Sequence, residues 1–379
     1  MNILNKIKKP EVEVDFTDID NPKLKINVNF NKKLSEERKK LEKNSNPYSN
    51  NVLILYIDSV SRVNGLRQLK KTVKFFEKFM SYKGYSHKKY PKENYHSFQF
   101  LKYYSFQGYT TVNFPFLFYG ANRNNRNKRS INRYYKENGF VTSVAVDWCG
   151  IDNINTNHDF DENDIYDHIF LSCDPSSGQY NSNLMRCTFG KHTTEQSIEY
   201  TDQFWRKYSN NRKYSVILDN HGHEGTLKVI SYTDEFFANF LNKLFDDNLL
   251  KDTTVFLLSE HGTGMPSIYF TIDFFKIEQD LPLLLILIND RKNTPYEKQY
   301  KYIHENQQTL ITAFDIYNTF GNIIYGDNYK SIETITNKKH TCKSKHGVSL
   351  FDKINPKERY ISKYKDIGEY GISDKSCKQ

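Results

Sequence analysis

Three mostly apolar runs, each followed directly by an acidic residue, are the most regular pattern in this sequence. The runs and the acids that follow them are 51–57 with Asp58, 213–218 with Asp219, and 253–259 with Glu260. Apolar runs of this length without alternation are typical of strands that are buried on both faces of a parallel sheet. Because ligands in open α/β folds bind at the carboxyl ends of the strands, we expect these acids to lie at one functional edge.

Further strands and helices are predicted around these runs. Strands are predicted at 98–106, 140–147 and 281–288, and helices at 36–43, 66–80, 194–208, 226–250 and 307–325. Strands that alternate with helices favour βαβ crossovers. We therefore expect an α/β fold with a mainly parallel central sheet and helices on both faces. The predicted division is an N-terminal extension at 1–50, a core at 51–326 and a small C-terminal lobe or tail at 327–379.

The composition and net charge indicate which classes of binding partner to expect, but they do not identify one partner. The 379 residues carry a formal net charge of +9 and include 28 Tyr and 27 Phe, which are spread along the chain and not gathered in a nucleic-acid-binding motif. Only the net charge supports a nucleic-acid-binding protein, so we expect no nucleic acid and favour an anionic ester as partner. No apolar run approaches the ~20 residues of a membrane helix, and a signal-peptide core is absent at the start.

The five cysteines show no Cys-x-x-Cys spacing, so a structural zinc knot is not expected. Cys173 and Cys187 flank a short loop and could close a disulfide worth roughly 3 kcal/mol in an oxidising compartment. The sequence leaves the compartment and the oligomeric state open.

Histidines accompany two of the three strand-terminal acids. Asp219 and His223 are four positions apart with Gly222 between them, and Glu260 is followed by His261 and a glycine. Carboxylates and imidazoles bind zinc, and carboxylates also bind manganese. The alternatives are a polar turn with surface histidines and a solvated glutamate beside a core histidine.

A hydroxyl residue before an apolar segment is the candidate nucleophile. Thr110 precedes the segment, with Thr111 as its competitor, and a helix that begins near 113–115 would direct backbone N–H groups at an anion. A hydroxyl is a poor nucleophile unless a base or a metal removes its proton. The alternative is simple helix capping. The Arg-rich stretch at 122–136 could neutralise an anionic substrate or form a solvated loop.

The order of these motifs resembles the alkaline phosphatase/sulfatase superfamily. The segments 51–62, 96–120 and 259–262 resemble, more narrowly, the eukaryotic sulfatase-like family known as domain of unknown function 229 (DUF229), and the similarity covers roughly residues 50–350. The resemblance implies two divalent ions, zinc, manganese or calcium, beside a hydroxyl that attacks phosphorus or sulfur. It also implies a secretory or extracellular location.

The resemblance implies roles for the residues of this sequence that match the motifs of the family. Asp58, Glu260 and His261 would hold one metal near Thr110, and Asp219 and His223 would hold the other. The family's threonine stands three residues before an Asn and ten before a Gly, which selects Thr110 over Thr111. Arg62 and Asn113 would bind the substrate.

The sequence departs from the family pattern at several positions, and these departures favour phosphate over sulfate esters as substrates. The family usually has Asp where this chain has Glu260, and the final histidine ligand of its phosphodiesterase relatives has only His346 as a weak match. The Cys-x-Pro-Ser-Arg motif of true sulfatases is absent. We therefore expect a metal-dependent hydrolase or transferase of phosphate or phosphoethanolamine-type esters, with glycans or lipid-linked molecules as carriers. The alternative is a sulfatase-like pseudoenzyme that serves as a binding scaffold.

Overall fold

A computed structural model gives the fold of most of the chain. It describes residues 12–15, 17, 23–43, 46, 50–80, 95–121, 130–147, 166–172, 186–263, 273–289, 296–330 and 346–359. The strands are β1 Val12–Asp15, β2 Lys23–Ile26, β3 Asn51–Ile57, β4 Tyr95–Gln99, β5 Tyr103–Tyr104, β6 Val141–Val146, β7 His168–Leu171, β8 Cys187–Thr188, β9 Lys191–His192, β10 Lys213–Asp219, β11 Thr253–Leu258, β12 Leu284–Asn289 and β13 Ile311–Thr312. The helices are α1 Lys32–Glu42, α2 Arg62–Gln68, α3 Lys70–Glu77, α4 Thr110–Tyr119, α5 Ile131–Glu137, α6 Thr193–Lys207, α7 Asp234–Asp246, α8 Asp273–Asp280, α9 Tyr296–Asn306 and α10 Ala313–Tyr325, with 3₁₀ turns at Val229–Tyr232, Gly326–Lys330 and Pro356–Glu358.

Seven strands form the central sheet, in the order β4-β12-β11-β3-β10-β6-β7. The neighbouring pairs from β11 to β7 are parallel, whereas β12 runs antiparallel to both β11 and β4. Only β12 therefore opposes the direction of the others in this sheet. The predicted α/β class with a mainly parallel sheet is confirmed. The register places the ends of β11, β3, β10 and β6 side by side, so residues that follow these strands share one edge.

Helices cover both faces of the sheet because its strands are apolar on both sides. In β3, Val52, Ile54 and Tyr56 pack into a core with side chains of α4, α5 and α10. The alternate residues of β3, Leu53, Leu55 and Ile57, pack on the other face with side chains of α3, α6 and α7. Among the described helices, none combines the length and the apolar character needed to cross a membrane.

Buried ion pairs hold α1 and the C-terminal end of the described chain to the core. Arg38 of α1 contacts Asp167, next to β7, with its Nη2 2.5 Å from Oδ1. Arg359, near the C-terminal end of the described chain, contacts Asp315 of α10 at 2.8 Å.

Several predicted boundaries are wrong. The strand predicted at 98–106 is two strands, because the chain leaves the central sheet after β4 and β5 pairs with β13 instead. The helix predicted at 66–80 is divided into α2 and α3 at Leu69, whose ψ of 48° is not helical. The helix at 307–325 begins only at Ala313, where a capping box formed by Thr312 and Asp315 starts it. The segment predicted as one helix at 226–250 is a 3₁₀ turn followed by α7.

The possible disulfide between Cys173 and Cys187 falls partly outside the described residues. Cys187 is exposed and free. Cys173 itself lies outside the described residues.

Candidate metal centre

Residues that follow β3 and β11 meet the first residue of α4. The ligand atoms of Asp58, Glu260 and His261 lie within 4.8 Å of one another. The Oγ1 of Thr110 lies 3.3 Å from Oδ1 of Asp58, 2.9 Å from Oε1 of Glu260 and 3.2 Å from Nε2 of His261. Thr111 is exposed. Of the two threonines, only Thr110 therefore has its hydroxyl within hydrogen-bond distance of all three side chains.

Two buried carboxylates share this first cluster, which consists of Asp58, Glu260 and His261. The exposed fraction is 4% for Asp58 and 0% for Glu260. Burial, followed by the charge of Glu260, raises the pKa of Asp58 to about 8. Burial also raises the pKa of Glu260, whose Oε2 has no hydrogen-bond partner among the described residues. Buried like charges with an unpaired oxygen are costly alone, and a divalent cation would satisfy both, so the donor set fits a metal.

The hydrogen bond of His261 fixes which nitrogen faces the cluster. Its Nδ1 lies 2.5 Å from the carbonyl oxygen of Gly262, which can only accept, so Nδ1 carries the proton. The neutral ring then presents the lone pair of Nε2 to the carboxylates of Asp58 and Glu260, 3.5 and 3.2 Å away. This is the orientation of a histidine that ligates a metal, with its other nitrogen held by a carbonyl group.

The backbone around Asp58 is tightly constrained. Ser59 has a positive φ of 63°, a left-handed conformation that costs a non-glycine residue about 1 kcal/mol or more. Its hydroxyl donates to the carbonyl oxygen of Gly262 at 3.2 Å and so joins the turns after β3 and β11. A Cβ on Gly222 would lie 2.2 Å from the carbonyl oxygen of Asp58, so only glycine allows the turn after β10 to approach this closely.

A second cluster lies at the ends of β6 and β10 and consists of Asp147, Asp219 and His221. The Nδ1 of His221 lies 2.7 Å from Asp147 and 3.1 Å from Asp219. Thr194, in the first turn of α6, donates its hydroxyl to Oδ2 of Asp219 at 2.8 Å. The backbone N–H of Asn220 donates to both carboxylate oxygens of Asp147 at 3.0 Å.

Charges within the second cluster compensate one another. Burial opposes protonation of His221, but Asp219 and Asp147 outweigh it and raise the pKa of this histidine to about 10. Burial and the charge of Asp219 raise the pKa of Asp147 to about 6. Burial raises the pKa of Asp219, but His221 outweighs it and the net direction is down. Two carboxylates and an imidazole also form a donor set that a divalent cation accepts, with the cation replacing the proton.

Not all of the predicted site residues enter these two clusters. Asp58, Glu260 and His261 are joined to Thr110, and Asp219 belongs to the second cluster. His223 lies outside both clusters, although its charge lowers the pKa of Asp58 and so places it nearby. His346 also belongs to neither cluster, and its ring packs 5.2 Å from that of Phe314.

The two predicted substrate-binding residues are placed differently. Arg62 begins α2 half-buried, with no hydrogen-bond partner for its Nε among the described residues. Asn113 is fully buried, and its side chain accepts from the N–H of Phe106 and donates to the carbonyl groups of Gln107 and Tyr109. Asn113 therefore braces the loop before α4, and both N–H donors of its amide are already used.

The start of α4 also differs from the prediction. The helix begins at Thr110 and not near 113–115, and no side chain caps its N-terminus. Thr110 is thus the first residue of the helix, at the positive end of its dipole, which favours an anion. The Arg-rich stretch is described only from 130 onward, where Arg133 pairs with Glu137 and Lys136 with Asp167.

Sequence reasoning missed Asp147 and His221. The signal for Asp147 is present, because the run 140–146 is apolar and ends in an acid like the three runs that were singled out. Nothing in the spacing of Asp219, His221 and His223 indicates which imidazole turns toward the acids.

Comparisons with known proteins give one family match over most of the chain and several similar solved structures. The profile of the family described as protein of unknown function (DUF229) matches residues 12–365. No curated protein matches the chain. Similar solved structures include a protein of the alkaline phosphatase superfamily from Vibrio parahaemolyticus (12% identity, 64% of this chain and 60% of that chain, TM-score 0.45). Two others are the lipoteichoic acid synthase LtaP from Listeria monocytogenes (11%, 82% and 77%, 0.49) and a sulfatase from Pseudoalteromonas sp. (12%, 79% and 72%, 0.42).

Proposed function

This chain belongs to the DUF229 family, and on that premise we propose that it is a metal-dependent hydrolase or transferase of phosphate esters with Thr110 as its nucleophile. The observation that carries the proposal is the position of one half-buried hydroxyl within 3.3 Å of two buried carboxylates and an imidazole nitrogen. Side chains with no catalytic or metal-binding role rarely bury two like charges together.

Residues of the first cluster have distinct roles in this reaction. A divalent cation held by Asp58, Glu260 and His261 would lower the pKa of the adjacent hydroxyl and polarise the phosphoryl oxygens. The hydroxyl proton leaves toward Oε1 of Glu260, the nearest acceptor at 2.9 Å. The Oγ1 of Thr110 then forms a bond to phosphorus as the bond to the ester oxygen breaks. Water or an acceptor hydroxyl releases the phosphoryl group from Thr110 in a second step.

The start of α4 binds the substrate phosphate in this proposal. The N–H groups of the first turn and the helix dipole stabilise the phosphoryl oxygens as negative charge builds on them. Tyr109, which precedes the helix and is 59% exposed, then forms the rim of the site. We propose that the second cluster holds a second divalent ion, zinc, manganese or calcium, with Asp219, Asp147 and His221 as its ligands.

A matched pair of threonine variants tests the proposal. Metal content is measured on the purified protein, and wild type, Thr110→Ala and Thr111→Ala are assayed with aryl phosphate monoesters, aryl phosphate diesters and an aryl sulfate. We expect bound metal and phosphate ester cleavage that falls by roughly 10³-fold or more in Thr110→Ala, because the nucleophile is lost. Thr111→Ala should keep most of the activity. Metal-dependent cleavage that survives in Thr110→Ala would contradict the assignment.

One observation favours a second function, that of a binding scaffold with little metal. His221 already contacts Asp147 and Asp219, at 2.7 and 3.1 Å, so each carboxylate of the second cluster has an imidazole partner without a metal. The same experiment separates the two functions. A scaffold would carry less than one metal ion per chain and cleave none of the esters, with or without added zinc or manganese.

A further inference from the structure

A short hairpin beside the second cluster carries an arginine next to the proposed active site. Arg186 immediately precedes β8, and Cys187 of β8 pairs with His192 of β9. The carbonyl oxygen of Arg186 accepts from the N–H of Thr193 at 2.9 Å. The next residue, Thr194, donates to Asp219, so the hairpin places Arg186 along the outer side of the second cluster.

The two cations of this hairpin are used differently. Lys191 is paired with Glu195 and Glu199. Arg186 has no carboxylate partner among the described residues, and its guanidinium group instead lies over the ring of Tyr232, 5.6 Å from the ring centre. A guanidinium group left without an acid beside a proposed phosphate site can bind a tetrahedral oxyanion through two parallel hydrogen bonds.

An aromatic surface and a free donor lie next to this arginine. Tyr232 ends the 3₁₀ turn before α7 and is 60% exposed, an uncommon position for a large ring. His192 stacks between His221 and Phe236, at ring distances of 4.7 and 5.1 Å. Its Nδ1 accepts from the N–H of Thr194, which leaves the proton on Nε2; this N–H is buried and has no acceptor among the described residues.

Arg186 and His192 lie at the two ends of one hairpin, in which Cys187 pairs with His192 and the carbonyl oxygen of Arg186 accepts from the N–H of Thr193. The hairpin, the 3₁₀ turn and the start of α6 thus bring together a cation, an N–H donor and an exposed aromatic ring.

We infer that Arg186, His192 and Tyr232 form a subsite for a second tetrahedral oxyanion, phosphate or sulfate, carried on a sugar ring of the substrate. The inference rests on the proposed function, in which the reacting ester is held beside Thr110. The guanidinium group of Arg186 binds the second oxyanion, and the N–H of His192 donates to it or to a neighbouring hydroxyl. The ring of Tyr232 packs against the apolar C–H face of the sugar. The substrate class is therefore a carbohydrate with two oxyanions.

Binding measured without turnover tests this subsite. Isothermal titration calorimetry is performed on metal-loaded Thr110→Ala protein with glucose 1-phosphate and glucose 1,6-bisphosphate, and on a mono- and a disulfated disaccharide to distinguish the two oxyanions. We expect the member with two phosphate or two sulfate groups to bind more tightly in one of the pairs. Adding Arg186→Gln should reduce that preference by about tenfold or more. Adding Tyr232→Ala should weaken both sugar ligands and leave the binding of inorganic phosphate unchanged.

Matched controls keep the test interpretable. Arg206→Gln removes an arginine at the far end of α6, where it pairs with Asp202 and Asp247, and should not alter the preference. Circular dichroism verifies that each variant is folded.

Equal affinity of the Thr110→Ala protein for sugars with one and with two phosphate or sulfate groups would overturn the subsite, and so would a preference that persists when Arg186→Gln is added. If Thr110-dependent cleavage is present while the preference is absent, only the subsite fails. If the preference depends on Arg186 but no ester is cleaved, the proposed reaction fails and the subsite remains.

Discussion

At the scale of single residues, two acids buried beside one hydroxyl determine the behaviour of the site. Asp58 and Glu260 are nearly inaccessible to solvent; burial raises the pKa of both, and the charge of Glu260 raises that of Asp58 further. Such a pair destabilises the folded chain unless a cation lies between the carboxylates. The stability of the protein should therefore depend on metal, and the dependence should be traceable to one side chain.

We expect Glu260→Gln to raise stability without metal and to lower the gain from metal. The amide keeps the shape of the side chain but removes one of two buried like charges. Added at 100 times its Kd, zinc or manganese should stabilise the wild type by about 2.7 kcal/mol, and the variant by less than about 1 kcal/mol if its affinity falls 100-fold. Thermal unfolding with chelator and with metal measures both effects. Glu235→Gln, which alters an exposed acid of α7, is the control, and equal responses of the two variants would contradict the prediction.

Single residues also mark the limit of prediction from this sequence. Asp58, Asp219 and Glu260 could be predicted because an acid after a buried strand must lie at the carboxyl edge. His221 could not be separated from His223, because both follow Asp219 in a turn whose path is set by the close approach of Gly222 to the backbone of Asp58. That contact joins positions far apart in sequence, and no local pattern encodes it.

At the scale of elements, the buried strands were predictable and the connections were less so. Runs such as β3 and β10 are mostly apolar and do not alternate with polar residues, which is typical of a strand covered on both faces. The aromatic-rich segment 98–106 reads equally well as one strand, but the chain turns after β4 so that β5 can pair with β13. The break in this strand is set by the pairing of β5 with β13, which is distant in sequence.

The C-terminal described segment, 346–359, is fastened to α10 through one acid. Asp315 completes the capping box of α10, accepts from the N–H of Val348 and binds Arg359 through two hydrogen bonds. Burial raises the pKa of Asp315, and the charge of Arg359 acts against this. One ion pair therefore links a helix start to the segment that covers it.

We expect Arg359→Met to destabilise the protein by about 3–5 kcal/mol, because it leaves a buried carboxylate without its cation. Arg133→Met, which removes the exposed partner of Glu137 in α5, should cost less than about 1 kcal/mol. Chemical unfolding of both variants measures the difference. A loss below 1 kcal/mol in Arg359→Met would show that the segment is not held through this pair.

At the scale of the whole molecule, the two edges of the sheet carry opposite kinds of buried charge. The carboxyl edge collects acids, whereas Lys213 is buried at the start of β10 on the opposite edge. Its ammonium group donates to the carbonyl groups of Tyr208 and Asn211 and lies over the ring of Trp205. Burial lowers the pKa of Lys213 to about 8, with a small opposing effect of Glu42.

This lysine should make the protein more stable as the pH rises. Between about pH 8 and 10.5 the unfolded chain holds the proton that the folded chain has released, so unfolding takes up a proton and its free energy increases with pH. Below pH 8 both states are protonated and this contribution is constant. Denaturant unfolding from pH 7.5 to 10 should show a smaller slope in Lys213→Met than in the wild type. The control is Lys243→Met, at an exposed lysine, and identical slopes in all three proteins would refute the prediction.

The hydrogen bond from His261 to the carbonyl of Gly262 has a consequence for how the reaction ends. The imidazole is anchored through one nitrogen and faces the acids with the other, and its exposed fraction is 1%. A ring held at both sides cannot rotate to shuttle a proton from bulk solvent. In the proposed reaction the departing alkoxide therefore obtains its proton from a water molecule or from Glu260, which has received the proton of Thr110, and turnover should follow the basicity of that alkoxide.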